Sequence, residues 1–204
     1  MAGRCGCTIA GGDLARTPRT HVHVFAVGHV PRGQARLRSG ARPGDIVFVT
    51  GTLGGSGAGR HLSFEPRLEA GVHVRRWATA LMDVSDGLAT DLRHLIARSG
   101  VGAELDEAAL PLSPVLKRRH PSASDHRIRV EHALCDGEDY ELLFTVPAAK
   151  RTAFVRSWRR KFDLPCTPIG RITARTGRLL CVGAQGERRV LHKTGFAHFG
   201  GEGG

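Results

Sequence analysis

The residues best equipped for chemistry lie in the stretch Met82–Ile96, MDVSDGLATDLRHLI, where Asp83, Ser85, Asp86 and Asp91 crowd together. Leu88, Leu92, Leu95 and Ile96 recur at the spacing of one apolar helical stripe, so a helix is expected to begin just after Gly87. Ser85 or Asp86 would then stand at its N-terminus, where a side-chain oxygen can cap free backbone N–H groups and the helix dipole favours negative charge. Capping accounts for one acid. It leaves Asp83, a second carboxylate three residues earlier with a hydroxyl between, unexplained. Hard oxygen ligands beside a helix N-terminus suit Mg²⁺ and phosphate together.

The elements that must position these groups belong to a chain of 204 residues, long enough for one good core or two small ones. Hydrophobic residues make up 41%, and no apolar run reaches the roughly 18 residues of a membrane span. The N-terminus shows no secretory signal pattern, so a cytoplasmic location is expected. The cysteines at 5, 7, 135, 166 and 181 are odd in number and scattered, which favours reduced thiols over a disulfide framework or a zinc knuckle. A formal net charge of +11 raises the question of nucleic acid. Arginine supplies nearly all the positive charge and is spread along the whole chain, and no aromatic-basic reading motif accompanies it. Nucleic acid is therefore not the expected partner, although polyanionic nucleotides would be attracted.

Taken in order, Cys7–Ala10 reads as a strand ending in Gly11-Gly12-Asp13, and the alternation of His21–Val30 reads as a second strand. The turn-rich Arg38–Asp45 marks a junction. Ile46–Thr50 follows as a buried strand, then the glycine-dense segment 51–59, which lacks the Gly-Lys-Ser/Thr of a P-loop and reads as a flexible or closely packed turn rather than a phosphate cradle. Residues 60–79 are poorly patterned. Strands are expected at Val101–Leu105, Tyr140–Val146, Ile169–Ile172 and Leu179–Val182, a helix at Ala148–Phe162, and polar loop at 121–129. Asp136-Gly137-Glu138-Asp139 is a turn dense in acids, readable as a solvated hairpin or as carboxylates set to hold a cationic group. Strands and helices without a strict βαβ rhythm argue an α+β fold.

Several of these segments fall into one order. Gly11-Gly12-Asp13, Arg38–Asp45 running into Val49–Gly54, Asp83–Leu88, Leu110–Ser113, Gly137–Leu142, Ile169-Gly170 and the tail Gly195–Phe199 together resemble the thiamine-monophosphate kinase family. That family belongs to the ATP-binding superfamily of aminoimidazole ribonucleotide synthetase. The resemblance implies a C-terminal synthetase-like domain, a mixed sheet with packed helices, over 41–199. It implies that 1–40 are the last strands of an N-terminal ATP-binding domain and that 200–204 are a disordered tail.

The activity implied is transfer of the γ-phosphoryl of ATP to thiamine phosphate with Mg²⁺, in line and without a protein nucleophile. Asp13, Asp83 and Asp86 match metal-binding aspartates, Gly12, Asp13, Arg38 and Ser85 match ATP contacts, and Glu138 and Phe196 match the thiamine phosphate pocket. Arginine can pair with phosphate, Glu138 can balance a thiazolium, and Phe196 can stack on a ring. A homodimer is implied as well. Against the family pattern, the chain lacks the portion before the Gly-Gly-Asp strand, which carries further metal ligands, and Asp136 replaces a glycine. The expectation is a chain that is inactive alone. Rival readings are another reaction of the superfamily, of selenophosphate or hydrogenase-maturation type, and a basic nucleic-acid-binding protein.

Overall fold

A computed structural model of the chain describes residues 2–191. Two compact units are resolved in it, Met1–Ala35 and Arg36–Gly204.

Among the described residues of the first unit the only regular element is a short 3-10 turn at Ala2–Cys5. The strands expected at Cys7–Ala10 and His21–Val30 are not formed, and Val22, Val24, Phe25 and Val27 are exposed. A strand exists through the ladder it shares with a neighbour, and no described residue pairs with these.

The second unit is built on a seven-stranded mixed sheet. Its strands are β1 (Ile46–Thr50), β2 (Ala80–Val84), β3 (Gly102–Asp106), β4 (Glu141–Val146), β5 (Cys166–Thr173), β6 (Leu179–Val182) and β7 (Arg188–Val190), in the order β2-β4-β1-β5-β3-β6-β7. All neighbours are antiparallel except β3 and β6. The helices are α1 (Leu68–Val74), α2 (Leu88–Ser99), α3 (Pro114–Arg119), α4 (His126–Cys135) and α5 (Arg151–Arg159).

Period-two alternation along the strands divides the apolar side chains between two cores. In β1, Val47 and Val49 enter the larger core with Leu88, Leu92, Leu95 and Ile96 of α2 and Val130, Ala133 and Leu134 of α4. Phe48 points the other way and joins Phe144 and Val146 of β4, Val74 of α1, and Phe154 and Trp158 of α5. Phe48 meets Phe144 in a stacked pair at 5.7 Å and Phe154 edge-on at 5.1 Å. The sheet is thus covered on both faces, which is why β1 reads as a nearly continuous apolar run.

The expected helix after Gly87 and the strands at 46–50, 141–146 and 179–182 are present. Residues 60–79 contain α1, and the stretch read as polar loop contains the start of α4. Helix α1 buries only Ala70 and Val74, so its stripe is too narrow to stand out. The apolar stripe of α4 falls in its second half, after a run of His and Arg. At the outer edge of the sheet the Leu81 N–H donates to the Leu37 carbonyl at 2.9 Å, laying residues 36–38 beside the start of β2.

Candidate functional site

Antiparallel order brings three loops to one end of the sheet. Val84 of β2 lies opposite Glu141 of β4, and Val49 of β1 opposite Leu143, so the ends of β1 and β2 and the start of β4 lie side by side. The loops there are 51–59 after β1, 85–87 after β2 and 136–140 before β4.

The last two are interlocked through backbone. The Glu138 N–H donates to the Ser85 carbonyl at 2.7 Å, and the Tyr140 N–H to the Val84 carbonyl at 2.8 Å. A β-carbon on Gly137 would lie 2.6 Å from the Ser85 oxygen, and one on Gly87 would lie 2.8 Å from the Cys135 oxygen. Only glycine permits that approach. Glu138 and Tyr140 themselves adopt left-handed backbone, with φ of 65° and 51°. Such conformations cost non-glycine residues energy and concentrate at functional sites.

The turn after β2 is held from within α2. The Oδ2 of Asp91 accepts from the backbone N–H of Ser85 at 2.9 Å and of Asp86 at 3.0 Å. The residue preceding the helix is Gly87, and no side chain caps the N-terminus. The capping role expected of Ser85 or Asp86 is therefore not theirs; the two amides that need an acceptor are served by an acid in the first turn. Burial raises the Asp91 carboxyl to about 6, against the pull of those two N–H groups, and the charges of Asp86 and Asp83 push the same way as burial.

Of the two readings of the glycine segment, flexible or closely packed, the structure has the second. Its Gly54 N–H donates to both carboxylate oxygens of Asp139, at 2.9 and 3.1 Å, and Ser56 Oγ donates to the Gly137 carbonyl at 2.6 Å. Below it Glu141, fully buried, accepts from Thr50 Oγ1 at 2.7 Å and from Arg67 Nε and Nη2 at 2.9 and 2.7 Å, and is also paired with Arg60. Its hydrogen bond and charge hold the Arg67 guanidinium above the ordinary arginine value. Asp136 is paired with His132 at 3.1 Å.

What these pairings leave over is decisive. The side-chain carboxylates of Asp83, Asp86 and Glu138 make no hydrogen bond or ion pair among the described residues, in a chain where Lys and Arg outnumber Asp and Glu by 30 to 19. All three act on the Tyr140 hydroxyl, raising it above its usual value after burial has done so first. Their charges thus act on one hydroxyl, whose ring stacks on Phe64 at 4.2 Å.

Of the residues singled out in the sequence, Asp83, Ser85, Asp86 and Glu138 come together here. Arg38 does not join them. Its carbonyl accepts from Ser99 Oγ at 3.3 Å, at the far end of α2, so its backbone stands about a helix length (~18 Å at ~1.5 Å per residue) from Ser85. Gly12 and Asp13 belong to the other unit, in exposed chain without regular secondary structure. Phe196 lies outside the described residues. No group of three or more His, Cys, Asp or Glu is placed to hold a metal among the described residues. Magnesium is nonetheless commonly held by one or two carboxylates plus substrate phosphates and waters, so the unpaired Asp83 and Asp86 have the right chemistry for that share.

Sequence reasoning missed the bracing role of Asp91 and the division of labour between Asp139 and Glu138. The signal for Asp91 was available, since an acid in the first turn after a glycine is an N-terminal device. Asp139 could not be found that way, because Gly54 is 85 residues away in the chain.

Comparison with known proteins places these features in context. Residues 64–181 match the family described as AIR synthase related protein, C-terminal domain. The thiamine-monophosphate kinase of Escherichia coli K12 is 38% identical over 213 residues, covering 94% of this chain and 63% of that relative. The chain thus spans less than two thirds of the length of the curated relatives it matches. The crystal structure of thiamine-monophosphate kinase from Stenotrophomonas maltophilia superposes with a TM-score of 0.65 at 36% identity, over 78% of this chain and 55% of that one. A structure described as AaThiL complexed with AMPPCP and TMP superposes with a TM-score of 0.59 at 37% identity, over 77% and 52%.

Proposed function

Since the chain belongs to the AIR synthase related protein family through its C-terminal domain, we propose that it works in ATP-dependent phosphorylation of thiamine phosphate to thiamine diphosphate. The observation that carries this is the trio Asp83, Asp86 and Glu138, their carboxylates unpaired among the described residues of an arginine-rich chain, on two loops joined through backbone hydrogen bonds and with charges that all act on the Tyr140 hydroxyl. Similarity to thiamine-monophosphate kinases, one of them described with AMPPCP and TMP, supports the substrate pair.

In this reaction a phosphate oxygen of thiamine phosphate forms a bond to the γ-phosphorus of ATP while the bond from that phosphorus to the β,γ-bridging oxygen breaks, and ADP leaves. Positioning and charge neutralisation supply the catalysis, so no protein nucleophile is required. Asp83 and Asp86 are the carboxylates offered to Mg²⁺, which when bound neutralises charge on the phosphates. The Ser85 hydroxyl meets the nucleotide, and Glu138 faces the cationic thiazolium. Asp13 as a metal ligand, Gly12, Asp13 and Arg38 on the ATP side, and Phe196 on the thiamine phosphate side enter by resemblance alone, as do the homodimer and the reading of 1–40 as the end of an N-terminal domain; the cytoplasmic location is proposed on the sequence pattern alone.

The test uses this chain in place of the matching part of the E. coli kinase. The hybrid is expected to form thiamine diphosphate from thiamine phosphate, ATP and Mg²⁺, and Asp86→Asn within it to reduce turnover at least about 100-fold at unchanged melting temperature. A folded hybrid without turnover, or one indifferent to Asp86→Asn, overturns the reading.

A further inference from the structure

Asp139 stands beside the proposed substrate acid Glu138 yet is turned the opposite way. It is 1% exposed, and both carboxylate oxygens take the Gly54 amide, so it is closed to metal and substrate. Ser56, from the same glycine segment, holds the Gly137 carbonyl on the other side of Glu138. Glu138 is thus flanked on both sides by residues tied to the glycine segment, while its own N–H is tied to Ser85. Its left-handed backbone needs such over-determination, since the conformation is unfavourable for a residue with a side chain.

We infer that Asp139 is a positioning residue: by holding the Gly54 amide it couples the glycine segment to the 136–140 loop and thereby sets where the Glu138 carboxylate lies. The same bond withdraws the Gly54 N–H from phosphate, so this segment acts as a clamp on the acceptor side of the site rather than as a cradle for ATP. The ring stack of Tyr140 on Phe64, the residue after Ser63 in the same connection, fixes the loop at its other end. The inference rests on the reading that Glu138 faces thiamine phosphate, but the clamp itself is measurable without any activity.

The experiment pairs Asp139→Ala with Asp139→Asn. Asparagine keeps an acceptor oxygen where the carboxylate had one; alanine keeps none. In the chain itself, hydrogen exchange at Gly54 and across 136–140 should accelerate at least about tenfold in Asp139→Ala and stay near wild type in Asp139→Asn. In the hybrid kinase, the KM for thiamine phosphate should rise about 10- to 100-fold in Asp139→Ala, with the KM for ATP within about threefold of wild type, and asparagine should restore it. Unchanged exchange at Gly54 sinks the clamp. Accelerated exchange with both KM values rising together shows a merely structural role and overturns the positioning claim. A hybrid that never turns over defeats the proposed function while leaving the exchange result to judge the clamp.

Discussion

The turn after β2 and the glycine segment after β1 stand at the same end of the sheet and are both marked by glycine, but their acids are used differently. Against the glycine segment the buried carboxylates are satisfied: Asp139 by an amide, Glu141 by two arginines and a threonine. In the turn after β2, Asp91 takes the two backbone amides and thereby frees Asp83 and Asp86 from that duty. An acid that caps backbone or pairs with arginine is holding the fold. The acids remaining once those demands are met are the ones available to a ligand.

Four measurements break or sharpen that contrast. The largest effect on stability is expected at Glu141→Ala, about 3–5 kcal/mol, because it leaves Arg67, Arg60 and the Thr50 hydroxyl without their shared partner; chemical denaturation reads it, and a loss below about 1 kcal/mol would make the buried network incidental. Next comes Asp91→Ala, at about 1–3 kcal/mol for two amides left without an acceptor. If Asp91→Ala also leaves turnover of the hybrid untouched, the turn does not need its brace.

The third concerns pH. Burial holds the Asp139 carboxyl at about 7, well above the ordinary 3.8, with the Gly54 N–H and Arg60 pulling it back. An acid that ionises more readily unfolded than folded removes stability as pH rises through the interval between the two values. Wild type should therefore lose stability relative to Asp139→Asn between about pH 4 and pH 7, at up to about 1.4 kcal/mol per tenfold change in the ionisation constant, with no further change above. A difference that is flat with pH would show the carboxyl ionising normally. The smallest effect is expected at Asp83→Asn, within about 0.5 kcal/mol in denaturation, since this exposed carboxylate has no partner to lose. A larger loss would return Asp83 to the structural acids.

How far the sequence foretold this follows from the range of each interaction. Helix α2 was legible because Leu88, Leu92, Leu95 and Ile96 lie on one face within a few turns, and β1 because a strand buried on both faces is apolar throughout. Helix α1 was not, since two buried residues make no stripe, nor was β7, three residues long with arginines at 188 and 189. Asp83, Ser85 and Asp86 are neighbours in the chain and announced themselves. The tie of Asp139 to Gly54 and of Glu141 to Arg60 joins residues more than 80 apart, and no local pattern encodes that. The expected strands at 7–10 and 21–30 show the converse, local alternation that finds no ladder among the described residues.

The carbonyl of Leu37 against the Leu81 amide bears on self-association. An outermost strand normally presents a row of open donors and acceptors onto which another copy can polymerise. Residues 36–38 interrupt that row on the β2 side, while the opposite margin, β7, is short and carries the exposed Arg188 beside Arg189, which pairs with Glu107. Among the described residues both flanks of the sheet are thus blunted against strand addition, by a backbone contact on one side and by a short strand with an exposed arginine on the other, rather than by anything in the core.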